Sequence, residues 1–467
     1  MKTSEKQLLL SRYLNLFIVL VFILLMSCNP ATESKRTTTQ GPEHPSWAKR
    51  ATLYEVNIRQ YTPEGTFTAF LPHLDRLEKL GTDILWFMPI YPIGEINRKG
   101  LLGSYYSIRD YTSVNPAFGT LDDFKKIVEE AHSRGMHVLI DWVPNHTAWD
   151  HHWTSEHPDW YDHDSSGNFV SPYDWTDVIQ LDYSNHGLWK GMTDAMKYWV
   201  TETGVDGFRC DYPGQIPVEF WDSVRTVLEG IKPVFMLAED EGHTEFLNKA
   251  FDMNYAWELM HLTEEVARGE KNAEALVRYF EKQKRIFPVW AYKLNCLTNH
   301  DENSWNGTVF ERYGNAVKPL AVLMFTVPGM PLIYSGQEIG LDKRLRFFEK
   351  DTIVWKDSPW TGFYSKLIAL KKEQQALWNG LDGGEWKAIS HTQPEKVLCY
   401  TREKTDSKVM VLLNLSADSC SVDVDLPFTG DHFTNYITGE PFSLTAPQTF
   451  DLKPWDYRII VENPDDK

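Results

Sequence analysis

Four short segments of this 467-residue chain end in side chains capable of acid–base or nucleophilic chemistry. They are Asp141-Trp142-Val143-Pro144-Asn145-His146, Gly207-Phe208-Arg209-Cys210-Asp211, Leu237-Ala238-Glu239 and Thr298-Asn299-His300-Asp301. Each closes an apolar run of strand type. Side chains two apart on a strand share a face, so Arg209 and Asp211 point one way and Cys210 the other, into packing. A guanidinium beside Asp211 favours its ionised form, which a nucleophile needs. Glu239, on the adjacent strand, can keep its proton and donate it to a leaving oxygen. Strands roughly 5 Å apart suit the roughly 5–5.5 Å between carboxyls of a retaining glycosidase. Asp301 is a third acid suited to sugar hydroxyls, and His146 and His300 supply hydrogen bonds to them. The competing reading places these carboxylates on solvated turns, since Glu239 is followed by Asp240 and Glu241. Four such endings on four separate strands weigh against it.

The elements that must position these groups read as alternating strands and helices. Strands are predicted at Thr52–Ile58, Asp83–Pro89, Met136–Trp142, Val205–Asp211, Val234–Glu239, Ala250–Tyr255, Leu294–Thr298 and Pro331–Ser335. Amphipathic patterns between them include Leu121–Ser133, Met192–Thr201 and Pro217–Leu228. This alternation predicts a parallel (β/α)8 TIM barrel over 46–380. An inserted loop domain is expected after the third strand, at about 147–187. Its Trp149, Trp153, Trp160 and Trp175 divide between a small local core and sugar-stacking surfaces, about half to each. From Trp386 the pattern shortens to strands such as Val397–Thr401, Lys408–Leu415 and Ser421–Leu426. An antiparallel β-sandwich domain is therefore expected over 386–463.

Composition narrows the partners. The net charge of -18 and the lack of any basic stripe exclude nucleic acid. A neutral substrate is compatible, and eighteen tryptophans offer faces on which sugar rings could stack. Lys2, Lys6 and Arg12 precede the apolar run Leu16–Met26, which ends in Leu25-Met26-Ser27-Cys28. Residues 1–28 thus predict a lipoprotein-type signal peptide with Cys28 as the lipidated residue, and 29–45 a flexible tether. An uncleaved anchor is the alternative; on either reading the body is tethered to a membrane, periplasmic or at the cell surface. Cys210, Cys296, Cys399 and Cys420 lack metal-site spacing and read as thiols, with a Cys399–Cys420 disulfide as the minor alternative.

The segments DWVPNH, GFRCD, LAED and TNHDEN resemble the four signature regions of the α-amylase family, glycoside hydrolase family 13, in the right order. The likeness runs from about Tyr54 to the end and includes Gly103–Tyr111 and Asn115–Thr120. It implies Asp211 as nucleophile, Glu239 as acid/base and Asp301 as transition-state stabiliser. It also implies that Arg209, His146 and His300 line the subsite before the scissile bond and that Tyr106 stacks under that sugar, with Tyr105 the alternative. Asp141 becomes a structural partner of Arg209. The expected substrate is an α-1,4-glucan or maltooligosaccharide. A transglycosylase, a cyclomaltodextrinase or pullulan-type hydrolase, and a non-catalytic glucan-binding lipoprotein are the alternatives.

Three departures bear on binding. Gly214 and Gln215 stand where many α-amylases have Lys and His on the leaving-group side. Gln180 stands where the family often has a calcium-holding Asp, leaving Asn145 as one neutral oxygen ligand. The loop Arg59–Phe67 lacks the acidic run that forms another metal site in some relatives. No cofactor is expected to be required, with calcium retained as a possibility.

Overall fold

The computed structural model describes residues 41–462; the predicted signal peptide, Cys28 and most of the tether lie outside the described residues. Strands β1 (Leu53–Val56), β2 (Ile84–Phe87), β3 (His137–Trp142), β4 (Gly207–Cys210), β5 (Phe235–Ala238), β6 (Met253–Tyr255), β7 (Tyr292–Asn295) and β8 (Met330–Tyr334) close a parallel barrel. The order around it is β1-β8-β7-β6-β5-β4-β3-β2. Nearly every strand residue is buried. That is why these segments read as continuous apolar runs rather than alternating ones. Leu53, Trp86, Leu139, Phe235, Leu237 and Leu294 are among those filling one interior cluster, and Trp47 packs against it.

Seven strands fall on the stretches predicted for them, whereas β7 begins and ends earlier. By Asn295 this strand has run out of neighbours. Strand β6 stops at Tyr255, opposite Leu294. On the other side Asn295 faces Pro331, which has no N–H to give. Asp301 therefore does not sit on a strand end. The chain runs on past Cys296–Asn299 and turns into a π-helical segment, Glu302–Asn306, with Asp301 immediately before it.

The helices follow from local chemistry. Leu121–Ser133 starts with a capping box between Thr120 and Asp123 and buries Phe124, Ile127, Val128 and Ala131 along one stripe. His186–Thr203 is capped by the Asn185 side chain and stopped by Gly204 in a left-handed conformation. Between β3 and this helix the insertion forms a small antiparallel pair, His146–Ala148 with Val178–Gln180.

Beyond the barrel, eight antiparallel strands make the C-terminal domain. A six-stranded sheet orders Glu385–Ala388, Val397–Lys404, Ser407–Asn414, Tyr457–Glu462, Gly430–Asn435 and Glu440–Leu444 side by side. The two-stranded Cys420–Val424 and Gln448–Leu452 sheet packs with it around Val397, Met410, Val422, Phe433 and Phe450. The four described cysteines are free thiols, so the Cys399–Cys420 disulfide is absent.

Candidate active site

The site begins with a glycine. Gly207 has φ +150°, and a Cβ placed there would lie 1.9 Å from the Phe235 carbonyl oxygen. Only glycine lets β4 and β5 approach at this point. The register that follows pairs Cys210 with Ala238, and the Glu239 N–H continues it by donating to the Cys210 carbonyl at 3.0 Å. Asp211 and Glu239 thus leave neighbouring strands at the same height, each two residues beyond an inward-facing side chain.

Arg209 organises the acids. It is fully buried and pairs in register with Asp141. Its Nη1 donates to Asp141 Oδ1 at 3.0 Å and to Asp211 Oδ1 at 2.9 Å. Its Nη2 lies 2.6 Å from Glu239 Oε1, yet no hydrogen bond is aligned there. Nη1 is shared between Asp141 and Asp211, whereas Nη2 approaches Glu239 without an aligned hydrogen bond. Burial pushes the Glu239 carboxyl well above its usual range; Arg209 opposes the rise, while the charges of Asp211 and Asp301 add to it. Glu239 Oε2 also accepts the Tyr212 N–H at 3.2 Å.

Asp211, Glu239 and Asp301 all line one cleft of about 640 Å³, with Tyr106 and His146. Of their side chains 13%, 14% and 41% are open to solvent, respectively. A cleft of this size admits a short oligosaccharide. Arg209 and His300 stand behind the lining. The His300 ring hydrogen bonds with the Tyr106 hydroxyl at 2.7 Å, and the two rings stack at 5.4 Å. The Tyr106 hydroxyl also donates to Asp141 Oδ2 at 3.1 Å. The adjacent tyrosines point in different directions. Tyr105 is buried, donates to Asn57 Oδ1 and lies under the Arg59 guanidinium, whereas Tyr106 faces the cleft.

Several residues here carry little signal in the sequence pattern. Glu55 lies inside β1, fully buried, and accepts from His300 Nδ1 at 2.5 Å. Burial would lower the His300 pKa, but the charges of Asp301 and Glu55 outweigh it and raise it to about 9. Tyr255 accepts from Arg209 Nε at 3.2 Å. Phe347 lies nearly parallel to Tyr106, with centroids 6.2 Å apart. A charge inside an apolar strand was the one available clue to Glu55.

Of the four tryptophans in the insertion, Trp175 lines the cleft. Trp153 and Trp160 are buried against each other at 5.0 Å, and Trp149 ties its indole N–H to the Thr176 carbonyl. The expected even division is replaced by one cleft residue and a local core. Gly214 leaves room for a different neighbour: a Cβ there would meet Asp240 Oδ2 and the His243 ring at 3.0 Å. His243 and Asp240 pair at 2.8 Å, and Asp240 lines the cleft.

The residues present do not fit calcium between Asn145 and the insertion. The Gln180 amide Nε2 donates to both Asn145 Oδ1 and the Asn145 carbonyl at 3.0 Å. The two oxygens a cation would use already receive an N–H. In the first barrel loop Arg59 Nη1 donates to the Gly103 and Phe347 carbonyls, each at 3.0 Å. Among the described residues, His132, His137 and Asp206 are close enough to share a metal. They lie at the opposite, N-terminal end of the barrel, where Lys232 already holds Asp206 at 2.8 Å.

Residues 33–359 match the family model of the α-amylase catalytic domain, and 388–459 that of the maltogenic amylase C-terminal domain. The crystal structure of an α-amylase from Lactobacillus plantarum shares 30% identity at a TM-score of 0.80, covering 89% of this chain and all of that one. A maltogenic α-amylase structure from Thermotoga neapolitana shares 29% identity at a TM-score of 0.78, covering 89% and 97% of the two chains. An α-amylase of Haloarcula japonica is 27% identical over 85% of this chain, which spans 59% of that protein's length. A Bacillus cyclomaltodextrinase is 26% identical over 79% of this chain and 73% of its own length.

Proposed function

The chain belongs to the α-amylase family and is a glycosidase; from that premise we propose that it is a retaining hydrolase of α-1,4-glucans or maltooligosaccharides. Asp211 attacks the anomeric carbon and forms a glucosyl ester as the glycosidic C–O bond breaks. Glu239 gives its proton to the departing oxygen. Water then attacks the same carbon, returns its proton to Glu239 and releases Asp211. Asp301, Tyr106, His146 and His300 bind the sugar under attack, and Arg209 Nη1 holds the Asp211 carboxyl in place by a hydrogen bond.

One observation carries this reading. A single guanidinium is aligned on Asp211 and misaligned on Glu239, within one cleft. Two carboxyls are thereby given different surroundings, one hydrogen-bonded to the guanidinium and one pushed by burial toward keeping its proton. A non-catalytic glucan-binding protein has no need of that division. The test is reducing-sugar release from soluble starch by wild type, Asp211→Asn and Glu239→Gln. Both variants should fall by about 10³-fold or more; equal rates in all three would leave a binding protein. A 5-fluoroglycosyl fluoride should add its mass to the peptide carrying Asp211. An unlabelled peptide would remove the covalent step.

Relatives named as a cyclomaltodextrinase and a neopullulanase keep open whether the substrate is a ring or a chain and which linkage is cut. Product profiles on starch, pullulan and cyclodextrins decide among these, and products longer than the substrate would mark transfer. The Gln180–Asn145 pairing supports an enzyme that needs no calcium. The N-terminal sequence supports a lipoprotein anchored through Cys28, facing the periplasm or the cell exterior. Loss of palmitate labelling in Cys28→Ser and protease shaving of intact cells test the anchor and its side.

A further inference from the structure

Trp305 is an unusual surface residue. Its side chain lines the same cleft as the three acids and is 52% exposed. A half-bare indole is expensive to leave in water, and flexible tips usually fold such rings away. Here the chain forbids it. The π-helical turn that carries Trp305 is tied down on both sides: Asn303 Nδ2 donates to the Lys343 carbonyl at 3.1 Å, the Leu345 N–H donates to Asn303 Oδ1 at 2.8 Å, and Ser304 Oγ donates to the Leu345 carbonyl at 2.8 Å. Glu302 in the same turn pairs with Arg312 at 2.9 Å. Turns of this type recur at functional sites.

The ring also continues a series. Tyr106 stacks on His300, Phe347 lies nearly parallel to Tyr106, and Trp305 lies 5.2 Å from Phe347 and 5.7 Å from Phe348. The series starts beneath the reacting sugar and ends at the rim. Arg59 fixes its middle by holding the Phe347 carbonyl.

Resting on the hydrolase reading above, the geometry points to Trp305 as a stacking platform for a second glucose unit of the substrate. That unit lies beyond the reacting one, on the side of Tyr106, His300 and Asp301. The apolar C–H face of a pyranose matches the bare indole face. A rigid platform costs little ordering entropy when the chain binds. Productive binding then spans at least two sugars, and a single glucose forgoes this contact.

The test is binding of maltopentaose and of glucose, by calorimetry, to the Asp211→Asn protein with and without Trp305→Ala. Removing the ring should weaken maltopentaose about tenfold and glucose by less than about twofold. Trp305→Phe should recover part of the difference. Equal losses for both sugars would make Trp305 a support for the turn beneath Asp301 and overturn the platform; no loss for either would overturn it too. Failure of the hydrolase reading appears separately, as wild type that binds maltopentaose tightly but releases no sugar from it. The platform would survive that outcome.

Discussion

At the N-terminal end of the barrel Asp252 is fully buried, and at the C-terminal end the Glu239 side chain is 14% exposed to the cleft. Asp252 receives Arg225 Nη1 at 2.5 Å, His44 Nδ1 at 2.7 Å and the Met236 N–H at 2.7 Å. Burial would raise its pKa, but Arg225 and His44 outweigh that and hold it below the usual carboxylate range. Asp206, at the same end, is held down by His132, His137 and Lys232. Glu239 has one misaligned guanidinium and one backbone N–H, and burial prevails. Desolvation acts on both ends; the supply of aligned donors decides its sign. Where donors are complete the carboxylate is a staple. Where they are withheld it is a proton reservoir, and in this fold chemistry gathers at that end.

The sharpest way to break the comparison is to neutralise each carboxylate. Glu239→Gln should lower kcat on maltopentaose about 10³-fold, because the amide has no proton to give. Its thermal midpoint should hold or rise, since a buried, under-donated carboxyl is gone. Asp252→Ala should do the reverse. It strands Arg225 in the interior and should cost about 3–5 kcal/mol in denaturant unfolding, with kcat per folded molecule within about twofold of wild type. A stability loss in Glu239→Gln as large as in Asp252→Ala would erase the distinction.

Titration sharpens it further. His300 is charged in the folded state up to about pH 9, against about 6.5 when unfolded. Between these values the folded chain binds the extra proton, so stability falls as pH rises. The contribution is complete below about pH 6.5 and lost through pH 9, amounting to about 3 kcal/mol. Glu55→Gln should flatten that slope, read as thermal midpoints from pH 6 to 10. An unchanged slope would mean that His300 is not the group responsible. The staples at the other end behave oppositely: their depressed pKa values give stability that is lost only in acid.

These groups were unequally visible in the sequence. Asp211 and Glu239 could be read because each terminates a continuous apolar run, and a strand buried on both faces leaves that mark. Glu55 was hidden because its partner His300 is 245 residues away and the strand around it is only four residues long. Trp305 and Phe347 lie in segments with no period to read, and their ring contacts exist only in space. The β7 boundary was misplaced for a related reason, since Leu294–Thr298 is apolar enough to be a strand but its pairing ends opposite Tyr255 and Pro331. The barrel as a whole was legible because alternation is a property of many residues at once.

The smallest expected effect concerns the place where a neutral amide stands in for a cation. Gln180 Nε2 gives its hydrogens to two Asn145 oxygens, and Asn145 Nδ2 returns a bond to Gln180 Oε1 at 3.3 Å. A chelator has nothing to remove from such a pair, so EDTA should shift the thermal midpoint by less than about 1 °C. Gln180→Asp deletes the donor and sets a carboxylate against two carbonyl-type oxygens, which should cost about 1–2 kcal/mol in metal-free buffer. The same substitution creates an all-oxygen set of the kind calcium prefers, so millimolar calcium should return part of the loss in the variant and none in wild type. A wild-type midpoint that drops several degrees in EDTA would mean that some other group of oxygens holds a structural cation, and the amide would be a neighbour to it rather than its replacement.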